Sequence, residues 1–421
     1  MKQWDSKGRW KRIICISMLL IAFIIGDMTA GFSNVGMKEK TGPLQVEAAS
    51  SEYRAFWFSF YDYTAYRKKY GGASASSFRS YFNTVCRNGK SRGMNRIIVQ
   101  VRPFADAMYK SKYFPWSEYI SGRQGRSPGF DPLSIMVSVA HSNGLKIEAW
   151  INPYRVAYHT SFSRLSKNNP ARKWHSKKKK KRNVLVYNGG IYFNPSKKEV
   201  RDLIVNGVRE IVRNYQVDGI HMDDYFYPSF SSSNVRKAFD AKEYKKSKYK
   251  RQGKSIAAYR RIMVNYLVKR VHSAVKSIRP SCTFGISPAG YIANLTSPYQ
   301  YYVDINTWLN STQYVDYICP QIYWGFKHPY AKFDRMVNQW VSKARSGKVK
   351  LYLGIAVYKA GHSVGASSAE RKEWRSDTDI LKKMVNYGRS KGAKGFAFFD
   401  YSDLVSSKSS KAVKQLKTVL K

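Results

Sequence analysis

Acidic residues are scarce in this chain. Its 421 residues include 27 Asp and Glu against 74 Lys and Arg, a formal net charge of +47. That excess demands an anionic neighbour: nucleic acid, anionic lipid or an anionic wall polymer. Cysteine is also scarce, with four in all and three of them beyond residue 50, which excludes a disulfide-built scaffold. Cys86, Cys282 and Cys319 sit in apolar contexts and read as free, buried thiols. No CxxC pair or His/Cys cluster marks a zinc site, and His159, His175, His328 and His362 lack metal-ligand spacing and read as surface residues. Ser287 in the run GISP is not framed as GxSxG, so no nucleophile elbow is present. No metal or other cofactor is expected.

Apolar and aromatic residues are plentiful. Hydrophobic residues make up 43% of the chain, aromatics 15% and tyrosines number 32, enough for a sizeable core. Tyr and Trp suit surfaces that are apolar on one side and hydrogen-bonding on the other, as carbohydrate sites are. At the N-terminus, Lys2, Lys7, Arg9, Lys11 and Arg12 precede the uncharged apolar run Ile13–Ile25. That run is short for a membrane span of about 20 residues and suits a signal segment. Cleavage is expected after Met28-Thr29-Ala30 or Val46-Glu47-Ala48, with an uncleaved anchor as the alternative and the only route to a membrane. Residues 1–49 are therefore set apart from one domain over 50–421. The expected location is secreted or wall-associated, where the abundant polyanions are wall polymers.

Beyond Arg54 the chain alternates short β-rich runs with longer helical stretches. The strand-like runs are Arg54–Phe60, Asn95–Val101, Leu145–Ile151, Asp218–Asp224, Cys282–Ser287, Val315–Ile322, Lys350–Val357 and Lys394–Asp400. Between them Ser76–Asn88, Asp131–Ser142, Lys197–Tyr215, Ile256–Ile278, Phe333–Ser346 and Thr378–Lys391 carry helical apolar spacing. Eight such units predict an α/β fold, a (β/α)8 TIM barrel with long loops at its C-terminal face. A doubly wound open sheet is the alternative, but it would place a glycine-rich phosphate turn after the first strand, and Phe60–Tyr70 has none.

In such a barrel the chemistry sits in loops after the strands' C-terminal ends. Those ends carry Gln100, Arg102 and Asp106; Trp150, Asn152, Tyr154 and Arg155; Asp223, Asp224 and Tyr225; Gln321, Tyr323 and Trp324; then Tyr358 and Asp400. Side chains alternate across a strand. Ile220 and Met222 should face the helices, which turns His221, Asp223 and Tyr225 inward. The same parity turns Glu148, Trp150 and Asn152 inward, and Gln100 with Arg102. Charges in a barrel interior are costly unless paired. They form either a self-satisfied ion-pair network or a site with tuned carboxyls.

Paired carboxyl groups beside aromatic platforms suggest glycoside hydrolysis, in which one acid protonates the leaving oxygen and a second carboxylate attacks or activates water. Asp223 and Asp224 are the leading catalytic pair, with Asp400 and Glu148 as further carboxylates. Trp150, Tyr154, Trp324 and Tyr358 are candidate sugar platforms, against plain packing. Gln100, Asn152 and Gln321 are candidate polar contacts, Asp106 a contact or a loop cap. Arg102 would orient a carboxylate, on the protein or on a muramic-type sugar.

The runs QVRPFADAMY (100–109), AWINPYR (149–155), YFNPSKKEVRDLI (192–204), VDGIHMDDYFYP (217–228), GISPAG (285–290) and VDYICPQIYW (315–324) resemble the bacterial glycosyl-hydrolase-like family 10. The resemblance spans Glu52 to about Tyr401 and implies an exported (β/α)8 glycoside hydrolase. Some of that family act on peptidoglycan glycan strands stripped of peptides, so it implies a wall or related amino-sugar polysaccharide. More distantly, Asp218 to Tyr225 is similar to the DGxDxDxE strand of chitinase-type glycosidases. Asp223 matches that pattern's last Asp, and Tyr225 stands where its acid Glu would be. Gln321 and Tyr323 resemble the pair that holds the acetamido group there. Asp224 or Asp400 would then have to supply the proton.

Two basic runs, His175–Arg182 and Lys242–Lys254, should flank the barrel mouth as solvated, mobile segments that bind an anionic wall polymer. Nucleic acid is not expected, since no helix-turn-helix or RNA-reading aromatic motif is visible. The competing function is a wall-glycan-binding protein without catalysis; a metal-dependent deacetylase is weaker still.

Overall fold

A computed structural model describes residues 52–71 and 74–420. The apolar run Ile13–Ile25, its cleavage points and Cys15 lie outside the described residues.

Eight parallel strands surround one axis: β1 (Tyr53–Phe58), β2 (Arg96–Arg102), β3 (Lys146–Ile151), β4 (Gly219–Asp223), β5 (Thr283–Ser287), β6 (Tyr317–Ile318), β7 (Lys350–Leu351 continued by Leu353–Ala356) and β8 (Gly395–Phe399). Neighbours pair in parallel from β1 to β6, and β8 returns to pair with β1. The first half of β7 pairs with β6 and the second half with β8. Nine hydrogen-bonded segments thus close on themselves at the break, Tyr352. Backbone bonds from Tyr352 N–H to Ile318 O (2.9 Å), Gly354 N–H to Pro320 O (2.9 Å) and Ile322 N–H to Gly354 O (3.0 Å) complete the seam. The barrel is the TIM-barrel arrangement, and the open sheet is excluded.

Helices α1 (Phe60–Tyr70), α2 (Ala75–Ser91), α3 (Pro132–Ser142), α4 (Lys198–Asn214), α5 (Ile256–Ile278), α6 (Phe333–Lys343), α7 (Ile380–Ser390) and α8 (Ser410–Val419) surround the strands. Local chemistry sets their ends. Asp131 caps α3 by accepting from Leu133 and Ser134 N–H, with Pro132 at the first turn. Helix α1 is not among the stretches that carry helical apolar spacing in the sequence. Its aromatics give little helical periodicity, but Ser59 and Asp62 form a capping box at its start. The long loop after β3 also folds, as a small antiparallel sheet of Arg155–Ala157, Val184–Tyr187 and Gly190–Phe193. Its tight turn is Asn188-Gly189, both at positive φ (42° and 76°), the pair that two-residue hairpins favour.

Inside the barrel, Tyr53, Ala55, Trp57, Ile98, Trp150, Tyr317, Cys319, Tyr352 and Ala397 pack into one cluster. A polar column runs through it. Arg96 pairs with Glu148 at 3.1 Å, and the Tyr317 hydroxyl donates to the other Glu148 oxygen. The Trp57 indole, a donor only, gives its N–H to His221 Nε2 (3.3 Å). His221 therefore carries its proton on Nδ1 and donates it to Tyr317 (2.8 Å). Burial drives the His221 pKa down to about 3, so the ring is neutral. Cys86, Cys282 and Cys319 are free and buried.

Tyr317 has room because its neighbour on β5 has no side chain. A Cβ on Gly285 would lie 2.0 Å from the Tyr317 ring. Gly285→Ala should displace that ring, break the His221–Tyr317–Glu148 link and lower unfolding free energy by roughly 1–3 kcal/mol. Urea denaturation followed by tryptophan fluorescence measures the loss.

Candidate active site

β4 ends in two adjacent carboxyl groups at the barrel mouth. Asp223 and Asp224 are 2% and 3% exposed. Asp223 lies on the inward side of β4, where one oxygen accepts the Trp150 indole N–H at 3.2 Å. Asp224, one residue on, is turned to the loop after β5 and accepts the Ala289 N–H at 2.6 Å. Burial raises the Asp223 pKa to about 8; Arg155 opposes that rise and the Asp224 charge adds to it. Burial also raises Asp224, to about 7, held back by the backbone N–H of Ala289. Near neutral pH this pair holds a carboxylic acid beside a group that readily ionises, the combination acid–base chemistry uses.

Arg155 stands over the pair's outer edge. Its guanidinium lies 3.9 Å from the centre of the Tyr225 ring and 4.7 Å from that of Tyr158. It donates to the Tyr158 hydroxyl, and its Nε has no hydrogen-bond partner among the described residues. Tyr301 approaches Asp224 and Tyr225 from the loop after β5, in the left-handed region at φ 54°. Sequence reading places Arg155 at a strand end without a role and does not name Tyr301. The signal for Arg155 was its place directly after the AWINPY strand end; nothing in the sequence marked Tyr301.

Gln100 and Asn152 meet at the tops of β2 and β3. The Gln100 amide donates to Asn152 (3.3 Å) and its carbonyl accepts from Phe60 N–H (3.1 Å), so they tie three strand ends together. Trp150 is 8% exposed, so its indole works as much in positioning Asp223 as in offering a surface. Tyr225, Gln321, Tyr323 and Trp324 are half-buried. The Gln321 amide donates to Ser287 O (2.9 Å). Tyr358 is 6% exposed and packs edge-on against Tyr323, 5.8 Å between ring centres.

Other expected site residues lie elsewhere. Arg102 does not face the axis. A bulge between Gln100 and Arg102 reverses the parity, and its guanidinium packs on Phe114 at 4.4 Å and against Gly207 of α4. Burial lowers its pKa to about 10, and it donates to Asn152 O and Pro153 O. Glu148 and His221 do face the axis, but in the ion-paired column below the mouth, both wholly buried. Tyr154 is wholly buried too, packed near Phe226, and offers no platform. Asp106 accepts from Gln124, whose carbonyl accepts from Ser166 N–H and Asn169 of the next loop. It fastens two loops, with its pKa raised to about 7 by burial. Asp400 caps the helix Tyr401–Leu404, accepting from Ser402 (2.6 Å) and Asp403 N–H (3.3 Å). His328 is not a surface residue: it is 4% exposed and accepts the Ala331 N–H at 2.8 Å.

A closed parallel barrel with adjacent acids and half-buried aromatics at its mouth defines the class of TIM-barrel glycoside hydrolases. The Glycosyl hydrolase-like 10 profile matches residues 53–376. The chain is 32% identical over 381 residues to glycosyl hydrolase YngK of Bacillus subtilis (strain 168), covering 86% of this chain and 71% of that protein. It is 34% identical over 311 residues to glycosyl hydrolase DigH of Escherichia coli (strain K12), covering 70% and 69%. Among solved structures, the glycoside hydrolase domain of PgaB (BpsB) from Bordetella bronchiseptica shares the fold at TM-score 0.55 and 13% identity, over 88% of this chain and 99% of that one. The endo-1,4-beta-mannanase of Rhizomucor miehei does so at TM-score 0.52 and 11% identity, over 91% and 98%. The chain belongs to the glycosyl hydrolase-like 10 family.

The raised acids make a stability prediction. An unfolded Asp loses its proton near pH 4, whereas folded Asp223 keeps it to about 8. The folded state therefore binds more protons across that window, and stability falls as pH rises through it. Asp223→Asn removes the titration. Its unfolding free energy should match wild type near pH 4 and exceed it by roughly 2 kcal/mol at pH 9, read from denaturant midpoints at each pH.

Proposed function

We propose that the protein is an exported glycoside hydrolase that cleaves a cell-wall-type polysaccharide, peptidoglycan glycan strands or a related amino-sugar glycan. The observation that carries the catalytic reading is the Asp223–Asp224 pair, desolvated at the barrel mouth with pKa values of about 8 and about 7. The basic leader and apolar run Ile13–Ile25 support export. The motif resemblance supports an amino-sugar glycan, and Tyr225, Tyr301, Tyr323 and Trp324 supply half-buried rings on which sugar faces can stack. An anionic wall polymer is the partner proposed for the basic loops.

Asp223 is the proton donor in this mechanism. It holds the higher pKa, and the Trp150 indole fixes one of its oxygens, so its proton is retained at neutral pH for the departing glycosidic oxygen. Asp224 ionises first and, held by the Ala289 N–H, supports the positive charge that develops on the sugar ring or activates what attacks it. Arg155 keeps Asp223 from becoming too weak an acid.

Two measurements test this. On defined glycan strands, kcat/KM should trace a bell: a rise near pH 7 as Asp224 ionises and a fall near pH 8 as Asp223 loses its proton. Asp223→Asn should lose roughly 100-fold or more on glycan strands, yet keep most of its rate on an aryl glycoside whose leaving group needs no proton. Asp224→Asn should lose both. If both variants release reducing ends as wild type does, the assignment is wrong. If wild type binds strands without cutting them, the protein is the non-catalytic wall-glycan binder of the same fold.

A further inference from the structure

The two basic runs are not independent mobile tails. The first is ordered as the helix Pro170–His175 and the 3-10 turn Lys178–Asn183. The second forms the short helices Ala241–Lys246 and Lys248–Arg251. They are fastened to each other. Arg182 binds Glu243 through both carboxylate oxygens, at 2.9 and 2.5 Å, and also reaches Phe239 O at 3.1 Å. Beneath them lies a buried brace. Asp240, wholly buried, accepts from Arg260 (2.8 Å), Tyr227 (2.8 Å) and Ser196 (2.9 Å). Tyr227 belongs to the segment that leaves the Asp223–Asp224 pair. Arg260 also donates to the Tyr302 hydroxyl (2.9 Å), next to Tyr301. The basic surface is therefore rigidly based on the same loops that build the mouth.

What this base presents is charge of one sign. Lysines 177–181 and the seven Lys and Arg side chains of 242–254 are all exposed. Glu243 is the sole acid in these two stretches, and Arg182 with Lys197 (3.6 Å) engages it. Of the twelve exposed cations only Lys180, 3.8 Å from Glu199, has an acidic neighbour among the described residues. Holding so many like charges side by side costs free energy in water that an anionic partner would recover. Eleven of the twelve are lysine, with Arg251 the exception. Lysine is a mobile point charge, whereas arginine's planar fork suits a fixed, bidentate recognition of one group. The composition fits a polymer held loosely in many registers.

We propose that this joined surface, 177–182 with 242–254, is a binding site for a phosphodiester-linked wall polymer, separate from the glycan that enters the mouth. The partner's identity as a wall component rests on the function proposed above; the binding of a polyphosphate chain does not. The site holds the enzyme against its insoluble substrate and leaves the catalytic cleft free, since none of the twelve cations is part of the Asp223–Asp224 surroundings.

The test uses the full chain carrying Asp223→Asn and a purified glycerol-phosphate wall polymer. Wild-type charge should give binding that weakens about 300-fold or more between about 50 and about 200 mM salt. Replacing Lys178, Lys179, Lys181, Lys245, Lys246 and Lys250 with Gln should weaken binding at low salt about tenfold. It should also flatten the slope of log affinity on log salt by roughly 2 to 4. The thermal midpoint should hold or rise slightly, since these side chains make no ion pair among the described residues and their mutual repulsion is relieved. Equal binding by the charge-neutralised protein, or affinity flat in salt, overturns the proposal. Tighter binding to single-stranded DNA, or to anionic lipid vesicles, at equal phosphate overturns it in favour of those partners. Polymer binding without glycan cleavage by the unsubstituted enzyme would sink the proposed activity and leave this site standing.

Discussion

The arrangement depends on keeping two neighbouring carboxyl groups out of water. Isolated buried carboxylates are costly, and such groups take up protons instead. Asp223 and Asp224 do so because no cation forms an ion pair with either one among the described residues, and each receives neutral donors: an indole N–H and a backbone N–H. The layer below avoids the same cost differently. There Glu148 stays next to Arg96, and a neutral His221 donates its Nδ1–H to the Tyr317 oxygen. The barrel therefore stacks two kinds of polar interior. The lower one pairs charge with charge and neutral ring with hydroxyl among its own members. The upper one leaves a proton available.

Much of the fold was legible in the residues. Short β-rich runs alternating with helical stripes placed all eight strands, most to within two residues, because a parallel strand flanked by helices is apolar and abrupt at both ends. Val315–Ile322 is the exception in kind: only Tyr317–Ile318 is regular strand, and the rest reaches its neighbours through isolated bonds around Gln321. The Asn188-Gly189 turn and the Ser59–Asp62 cap were also written in the chain, as local signals too short for periodicity to reveal.

The site was legible in part. Alternation correctly turned Glu148, His221 and Asp223 inward, but a period of two gives a face and not a depth. It could not separate the column from the mouth. One inserted residue at the β2 bulge carried Arg102 to the helix side, and a bulge leaves no mark in side-chain chemistry. Tyr301 reaches the pair only through a left-handed backbone twist in a loop far along the chain, the kind of long-range placement that composition cannot show. Arg155 was visible at a strand end, yet its role depends on lying over Tyr225, which only the folded loop decides.

The pairing of β8 with β1 has a consequence for how the chain reaches this state. Tyr53 to Phe56 find their partners at Gly395 to Phe398, almost the whole length of the domain away. Until those late residues emerge, the first strand keeps one unsatisfied edge, and an exposed edge invites pairing with other chains. Ring closure at such separation is entropically slow. A growing or truncated chain of this protein is thus a sticky open ribbon, and its solubility during synthesis rests on its dense positive charge and on whatever shields that edge until the last segment arrives.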